Sequence, residues 1–408
     1  MKTDIAIIGA GAAGCFAAIE IKRRFPEAVV TVYESGNKAL AKVAVTGGGR
    51  CNLTNSFSGV RSMETVYPRG ARLMKRLLKE FSHEDAYGWF EREGIRLTTQ
   101  QDNCVFPMSQ DAMEIVDKLL WLMRRHGVTL KTGHRVTTIT HHERYILTFS
   151  NHDSVEADKV VVTTGGSPKL SGLRMLDGLG LDIVEPVPSL FSFCLANHPI
   201  TEMSGTVVKD VQTSVVGTKM RADGPLLITH WGLSGPAVLK LSSYGARHFH
   251  DSDYKTDIAV NWFGPANEGE VTEELSGLAV RHPQKQVQSV YPERFNSRLW
   301  LYLLDHAGIR HDMRWAEMGR KSFNRMAAML TNHVFSVTGK NKFKEEFVTC
   351  GGVALSNVNS STLECRLHSG LYFAGEVLDV DALTGGFNLQ AAWTMGYVVA
   401  KNIDYFLR

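Results

Sequence analysis

Ile5-Ala6-Ile7-Ile8 is an unbroken apolar run, the pattern of a strand buried on both faces. It runs straight into Gly9-Ala10-Gly11-Ala12-Ala13-Gly14, and the apolar spacing from Ala12 to Ile21 then predicts a helix that stops before Pro26. Val29-Val30-Thr31-Val32-Tyr33 reads as a second strand ending at Glu34. Further on, Leu73, Leu77, Leu78 and Phe81 place one side of a helix over Arg72 to Trp89. Ile115, Val116, Leu119, Leu120 and Leu122 do the same over Asp111 to Arg125. Short β-prone runs follow at 128–130, 136–139, 145–149 and 160–164, with turn residues between them, and predict a small antiparallel meander. Ser189 to Phe263 is rich in short β-prone runs, and 264–332 turns helical. The chain ends with a strand over 370–376 and an apolar helix from Thr384-Gly385-Gly386 through Ala400.

The first of these patterns carries chemistry. Strand, G-x-G-x-x-G, helix, strand and acid in that order are a dinucleotide-binding unit. Gly9 permits the tight turn, Gly11 admits a pyrophosphate to the backbone, and Gly14 lets helix and sheet pack closely. The helix start at Ala12 and Ala13 supplies free N–H donors and the positive dipole end. Glu34 is placed to accept hydrogen bonds from the adenosine ribose. A second cluster, Thr46-Gly47-Gly48-Gly49-Arg50-Cys51-Asn52, follows Lys42. Its glycines allow close approach of backbone to a ligand, and Arg50 offers a planar cationic fork. The Thr164-Gly165-Gly166 turn closes a buried strand at the edge where a cofactor sits in such folds. A third cluster begins at Gly375-Glu376 and continues through Gly386, Asn388, Leu389 and Gln390, where a glycine pair again opens a helix. An acid for a polyol and a helix start for an electron-rich ring argue for FAD rather than NAD.

Composition narrows the rest. At 408 residues, 44% hydrophobic and 21% charged, the chain is an ordinary globular protein of two or three domains. Six cysteines without a C-x-x-C pair fit a reducing cytoplasm better than a disulfide framework. The longest apolar run, Ile5 to Ile19, is short of the roughly 18–20 residues that cross a bilayer, so no membrane partner is expected. The histidines show no ligand spacing, so no metal is expected. Net charge is only +3, but nine Lys/Arg face four acids between 281 and 325, with Trp300, Tyr302 and Trp315 interleaved. Such a segment suits phosphates and stacked bases, or equally a solvated helix face. Cys51, next to Arg50 and Lys42, is a candidate for a lowered thiol pKa, and His230, beside Trp231, a candidate acid or base.

The three clusters together resemble the YhiN/BaiN-type flavoproteins, a family of NAD(P)/FAD-dependent oxidoreductases. The resemblance lies in Ile7 to Gly14, Lys42, Thr46 to Asn55, Val105 to Asp117, Thr229 to Ser243 and Cys350 to Gly396. It is weakest between about Asn261 and Asn332. It implies an α/β, glutathione-reductase-like FAD-binding Rossmann domain built from both chain ends, 1–188 and 348–408. An inserted β-rich, barrel-like domain would span 189–263 with a return at 332–347, around a small helical domain at 264–331.

By position, Gly9, Gly11 and Gly14 would bind the pyrophosphate and Glu34 the adenosine ribose. Val136 would meet adenine by its backbone, and Arg50, Cys51 and Asn52 would line the flavin side. Gly375 and Glu376 would take the ribitol and phosphate region, and Gly386, Asn388, Leu389 and Gln390 the isoalloxazine ring. The resemblance implies reduction of a C=C bond in a steroid-like acid, dihydrouridine formation in ribosomal RNA, or oxidation of aminoacetone. A single fingerprint leaves NAD(P)H as a transient electron donor. The reading is therefore NAD(P)H-driven reduction of an activated C=C bond, a ribosomal RNA uracil foremost, with the basic segment 281–325 as the RNA contact. A small-molecule reductase or amine oxidase and a non-catalytic, redox-sensing flavoprotein are the alternatives. Two departures from the family stand out: Ser167 to Arg174 replaces a glycine-rich run, and Cys350 stands where a small residue is usual.

Overall fold

The computed structural model describes residues 3–167, 169–341 and 348–403. Pro168, the end of the expected β-rich return (342–347) and the last residues of the C-terminal segment (404–408) lie outside them. The chain divides into two compact units, residues 1–187 with 348–408, and 188–347.

The first unit is built on a five-stranded parallel sheet. Its strands run in the order Leu371–Phe373, Lys159–Val162, Asp4–Ile8, Val29–Tyr33 and Thr129–Lys131. Both chain ends therefore supply strands to one sheet, as the glycine clusters at each end led us to expect. Helix Ala12–Arg24 and the C-terminal helix Phe387–Asn402 lie against each other. Gly396 makes that approach possible, since a Cβ there would stand 2.9 Å from Ala13 O and 3.3 Å from Ala17 N.

Two readings of the pattern change here. Of the four runs assigned to a meander, only the middle two belong to it. Val136–His141, Tyr145–Phe149 and Ser154–Ala157 form the antiparallel sheet. The runs at 128–130 and 160–164 feed the parallel sheet instead. Short apolar runs look alike in either setting, so spacing alone does not separate them. Likewise the helix expected over Arg72–Trp89 is two, Ala71–Leu77 and His83–Arg92. Ser82 starts the second with a capping box: its hydroxyl accepts from Asp85 N at 3.1 Å and the Asp85 carboxylate accepts from Ser82 N at 2.8 Å.

The second unit holds a seven-stranded antiparallel sheet. His333–Val337 lies at one end of its strand order and Gly339–Lys340 at the other. Only Thr338 separates them in sequence, so the chain passes from one edge of the sheet's strand order to the other in a single residue. The helices Glu268–Arg281, Ser297–His306 and Arg320–Thr331 are not a separate body, contrary to the expected helical domain. Val271, Leu303 and Leu330 share one apolar core with Ile258, Val260 and Phe335 of the sheet. Trp300 and Trp315 are also in that core, and their indole N–H groups donate to Val287 O and Val290 O at 2.7 and 3.0 Å. The two tryptophans expected to stack on bases are thus buried. A fully apolar indole face is worth more in a core than on a helix surface, and an aromatic interleaved with cations reads the same either way.

A histidine sits deep in this core. His333 Nδ1 accepts from Trp262 Nε1 at 3.1 Å, which requires a neutral ring. Burial, and then the nearby His306 and His198, push its pKa down to about 3. An unfolded histidine takes up its proton near pH 6.5, whereas the folded one stays neutral to about 3. Stability should therefore be fully present above about pH 6.5 and fall as the pH drops through that window, with a slope of at most about 1.4 kcal/mol per pH unit from this group. Thermal unfolding followed from pH 7 to pH 4 should show the loss, and His333→Gln, which keeps an acceptor for Trp262, should flatten it.

Candidate functional site

The glycine turn after the first strand is tightly built. Gly9 has φ +106°, and a Cβ on it would meet Thr163 O at 2.5 Å. A Cβ on Gly14 would meet Gly9 O at 2.1 Å. Thr163 Oγ1 donates to Gly9 O at 2.8 Å and to Ile8 O at 3.0 Å, fixing the turn from the neighbouring strand. Gly11 differs: it caps the helix in an extended conformation, and open space lies where its Cβ would be. The N–H groups at the start of helix Ala12–Arg24 have no partner within the helix and point off its end. Packing accounts for Gly9 and Gly14. It does not account for Gly11, whose open side adjoins free donors, as a pyrophosphate site requires.

Glu34 leaves the end of strand Val29–Tyr33 and turns back to this loop. Its Oε2 accepts from Ala10 N at 2.9 Å and its Oε1 from Gly36 N at 2.7 Å. His134 N donates to Glu34 O at 2.8 Å, which brings the start of the meander, and Val136 two residues on, to the same edge of the sheet. Val136 is buried there at a bulge in its strand.

The triglycine segment follows a short helical stretch from Ala41. Gly47, Gly48 and Gly49 all take positive φ, and open space surrounds the Cβ positions of Gly48 and Gly49. Arg50 is exposed; its guanidinium lies 4.3 Å over the Phe106 ring and its Nε donates to Gly47 O at 3.1 Å. Lys42 pairs with Glu376 at 3.4 Å. Glu376 also accepts from Gly166 N at 3.2 Å and from Thr349 N at 2.7 Å, and Gly165 lies beside it, with Thr164 exposed one residue earlier. Gly375, φ +81°, sits so close to helix Ala12–Arg24 that its Cβ would be 3.1 Å from Ala13 Cβ.

The C-terminal cluster packs on the triglycine segment's far end. A Cβ on Gly386, φ +88°, would stand 2.2 Å from Thr54 O. With the Asn52 amide turned so that its oxygen accepts from Gly386 N at 3.2 Å, its nitrogen donates to Thr54 O at 3.1 Å. Asn55 Nδ2 donates to Gly385 O at 2.9 Å. The Asn388 amide closes on Ala382, accepting from its N–H and donating to its carbonyl, both at 2.9 Å. Leu389 is half-buried against the core.

Two sequence readings are corrected by these contacts, and one pair is added to them. The Cys51 thiol is fully buried, and burial pushes its pKa up to about 12 instead of down. The neighbouring Arg50 turns its charge to Gly47 and Phe106, so no cation activates the sulfur. The Gln390 side chain, expected at the isoalloxazine ring, is buried and fully engaged within the protein. Arg69 and Asp381, which the sequence did not single out as a pair, form a buried bidentate ion pair beside the Gly385–Gly386 turn. Nothing in their local pattern marks them; only the Asp381 position, just past the Gly-Glu strand end, hints at it. His230 is placed in the second unit, exposed in the turn between Arg221–Thr229 and Gly232–Ser234, with its ring edge-on to Trp231 at 4.3 Å. Among the described residues no group of His, Cys, Asp or Glu is arranged to hold a metal ion. None of the described helices is long and apolar enough to cross a membrane.

The open glycine at a helix start, the carboxylate at the second strand's end and the two further glycine turns fit FAD. Gly11 with the N–H groups of Ala12 and Ala13 would hold its pyrophosphate, Glu34 its ribose, and the Gly385–Gly386 turn its ring end. This is an α/β Rossmann-type FAD-binding fold, of the kind used by flavin-dependent oxidoreductases. The chain belongs to the family described as HI0933-like protein Rossmann domain, which it matches over residues 3–402. It is 27% identical over 405 residues to the 3-dehydro-bile acid delta(4,6)-reductase of Clostridium scindens, covering 97% of this chain and 98% of that one. It is 29% identical over 416 residues to the ribosomal RNA dihydrouridine synthase of Escherichia coli, covering 98% of each. In fold it is similar to 3-ketosteroid delta1-dehydrogenase from Sterolibacterium denitrificans, with a TM-score of 0.51 at 12% identity over 98% of this chain and 99% of that one. The chain is an FAD-dependent oxidoreductase.

Two outcomes test this site. Gly11→Val fills the open space without strain, since φ is −86°. It should leave the thermal midpoint unchanged while weakening FAD binding about tenfold or more, about 1.4 kcal/mol, by fluorescence titration. Cys51, buried and protonated, should stay unlabelled by iodoacetamide at pH 8 in the native protein and become labelled only after denaturation, as peptide mass spectrometry will show.

Proposed function

We propose that this chain reduces a C=C bond conjugated to a carbonyl, with NAD(P)H as the transient electron donor and a uracil of ribosomal RNA as the substrate. The observation that carries the reading is chemical. The two relatives, named for a bile-acid delta(4,6)-reductase and for dihydrouridine synthesis, both point to saturation of a double bond next to a carbonyl. Only one glycine fingerprint of the dinucleotide type stands in the sequence, so a nicotinamide would visit and leave.

FAD, when bound, supplies two-electron exchange between donor and substrate. The chain's own part is to hold and orient. Gly11 and the following N–H groups would fix the pyrophosphate, and Glu34 the ribose. The Gly385–Gly386 turn, held by Asn52, Thr54 and Asn55, would present the first turn of the C-terminal helix to the ring. Cys51, protonated and buried, would fill space beside the ring rather than carry a proton.

RNA as the substrate draws support from the second unit's surface. Arg281, Lys285, Arg298, Arg314, Arg320, Lys321 and Arg325 are all exposed. With Trp300 and Trp315 in the core, this surface offers charge to phosphates and no stacking platform from those two residues. That burial favours a second reading, a small-molecule enone or steroid-like acid, in which the cations only solvate the fold. Amine oxidation and a non-catalytic role draw on no observation here.

The test is anaerobic reduction of the FAD-loaded protein by NADPH and NADH, followed at the flavin absorbance. Ribosomal RNA lacking dihydrouridine is then added to the reduced protein. The expected outcome is reduction by a nicotinamide and reoxidation by the RNA with loss of uracil absorbance. Reoxidation by a 3-oxo-4,6-diene bile acid but not by RNA would move the function to the small-molecule reading, and no reduction by either nicotinamide would overturn the donor.

A further inference from the structure

We propose that Arg69 is a positioning residue for the flavin, its ion pair with Asp381 latching the segment that sets the head of the C-terminal helix. The proposal rests on the FAD-dependent reading of the site. Arg69 Nε and Nη2 donate to the two oxygens of Asp381. The Asp381 side chain is wholly buried, and that of Arg69 is 18% exposed. The two residues also form an isolated antiparallel bridge.

The latch is one end of a longer seam. Leu383 N donates to Val66 O at 2.9 Å, and Tyr67 Oη donates to Phe387 O at 2.9 Å. Gly70, φ +76°, is pressed on Val380, where a Cβ would meet Val380 Cγ2 at 2.5 Å. Residues 66–70 thus run along 380–387 on one side. Asn52, Thr54 and Asn55 hold the same segment from the other side. Between the two lie Gly385 and Gly386 at φ +125° and +88°. Glycines have no steric preference that would keep those angles, so the neighbours must keep them. Three residues beyond Asp381 the chain reaches Thr384, at the entrance to the turn.

Stability alone does not explain such a pair. Replacing a buried ion pair by apolar residues of like volume is often neutral or stabilising, whereas removing one partner is costly. Two parallel N–H···O bonds instead fix orientation, which a lysine cannot reproduce. What needs fixing is the helix start. Its dipole acts as about half a positive charge and fades within the first turn, so small displacements change its effect on a ring that gains negative charge on reduction. Pyrophosphate and ribose contacts would lie at Gly11 and Glu34, away from the residues that the latch holds.

The experiment compares the FAD-loaded wild type with Arg69→Lys and with the double variant Arg69→Met/Asp381→Leu, which leaves no unpaired charge. FAD affinity is read by fluorescence titration, and the reduction potential by anaerobic titration against a reference dye. The double variant should bind FAD within about threefold of wild type. Its reduced-to-oxidised equilibrium should fall about tenfold, or ~30 mV for two electrons, with a shifted flavin absorbance band. Arg69→Lys should fall between. An unchanged potential and spectrum in the folded double variant overturns the proposal, and so does loss of FAD from both variants, which would make the pair a fold determinant. If the double variant does not fold, a wild-type potential in Arg69→Lys overturns it. A wild type that binds no FAD fails the cofactor reading itself, and the affinity titration reports that separately.

Discussion

A single buried amide holds the ring end of this site together. Gln390 Oε1 accepts from Thr54 Oγ1 at 2.6 Å, and its Nε2 donates to Ser82 O at 3.1 Å and Thr394 Oγ1 at 3.0 Å. Thr394 Oγ1 in turn donates to Phe81 O at 2.9 Å, and Trp393 Nε1 to Leu53 O at 2.9 Å. The C-terminal helix is thereby tied to the segment after the triglycine motif and to the break between two earlier helices. Gln390, Thr54, Thr394 and Trp393 are buried, so deleting one of these side chains strands a donor or acceptor in a low-dielectric interior at a cost of about 1–3 kcal/mol. The glycine turns can be flexible in sequence because the frame around them is not.

Carboxylates organise the loops at the strand ends in the same way. Glu34 gathers Ala10 and Gly36, and Glu376 gathers Gly166, Thr349 and Lys42. A carboxylate has about four lone-pair sites, so each can hold its loop and still accept from a sugar hydroxyl. Their role is therefore double. They shape the turns before a dinucleotide arrives, and they leave acceptor capacity for it. An acid at the end of a strand is well suited to this, since backbone N–H groups of the following turn lie within its reach.

The parts of this architecture that were legible in sequence are those whose signal is local. Gly9, Gly11, Gly14 and Glu34 lie within one strand-helix-strand unit, and their order alone implies the turn that the structure contains. The pairing of both chain ends in one sheet also followed from strand-like runs that end in glycine turns. What stayed hidden depends on partners distant in sequence. Arg69 and Asp381 are 312 positions apart, and neither has a neighbour pattern that marks it. The family resemblance implies Gln390 at the isoalloxazine ring, yet helical geometry turns its side chain inward to Thr54 and Ser82. Cys51 misled for a related reason. Adjacency to Arg50 in sequence suggested a cation beside the thiol, but a left-handed backbone at Cys51, φ +61°, sends the two side chains to different places.

The second unit shows the same limit in another form. Aromatic residues interleaved with cations at 281–325 suggest a nucleic-acid surface, but Trp300 is on the buried face of an amphipathic helix and Trp315 is buried in the turn between two helices. With both indoles in the core, any RNA contact by this segment would rest on charge. Charge recognises phosphate spacing and weakens with salt, and it does not read bases. An RNA substrate would therefore be bound by its backbone here, while the choice of one uracil among many would fall to the chemistry at the flavin and to the shape of the RNA around the target. A small enone would make no use of the arginines at all. Turnover of an RNA substrate should therefore fall as ionic strength rises, whereas turnover of a small enone should be indifferent to it, a contrast set by the surface cations and not by any feature of the flavin site.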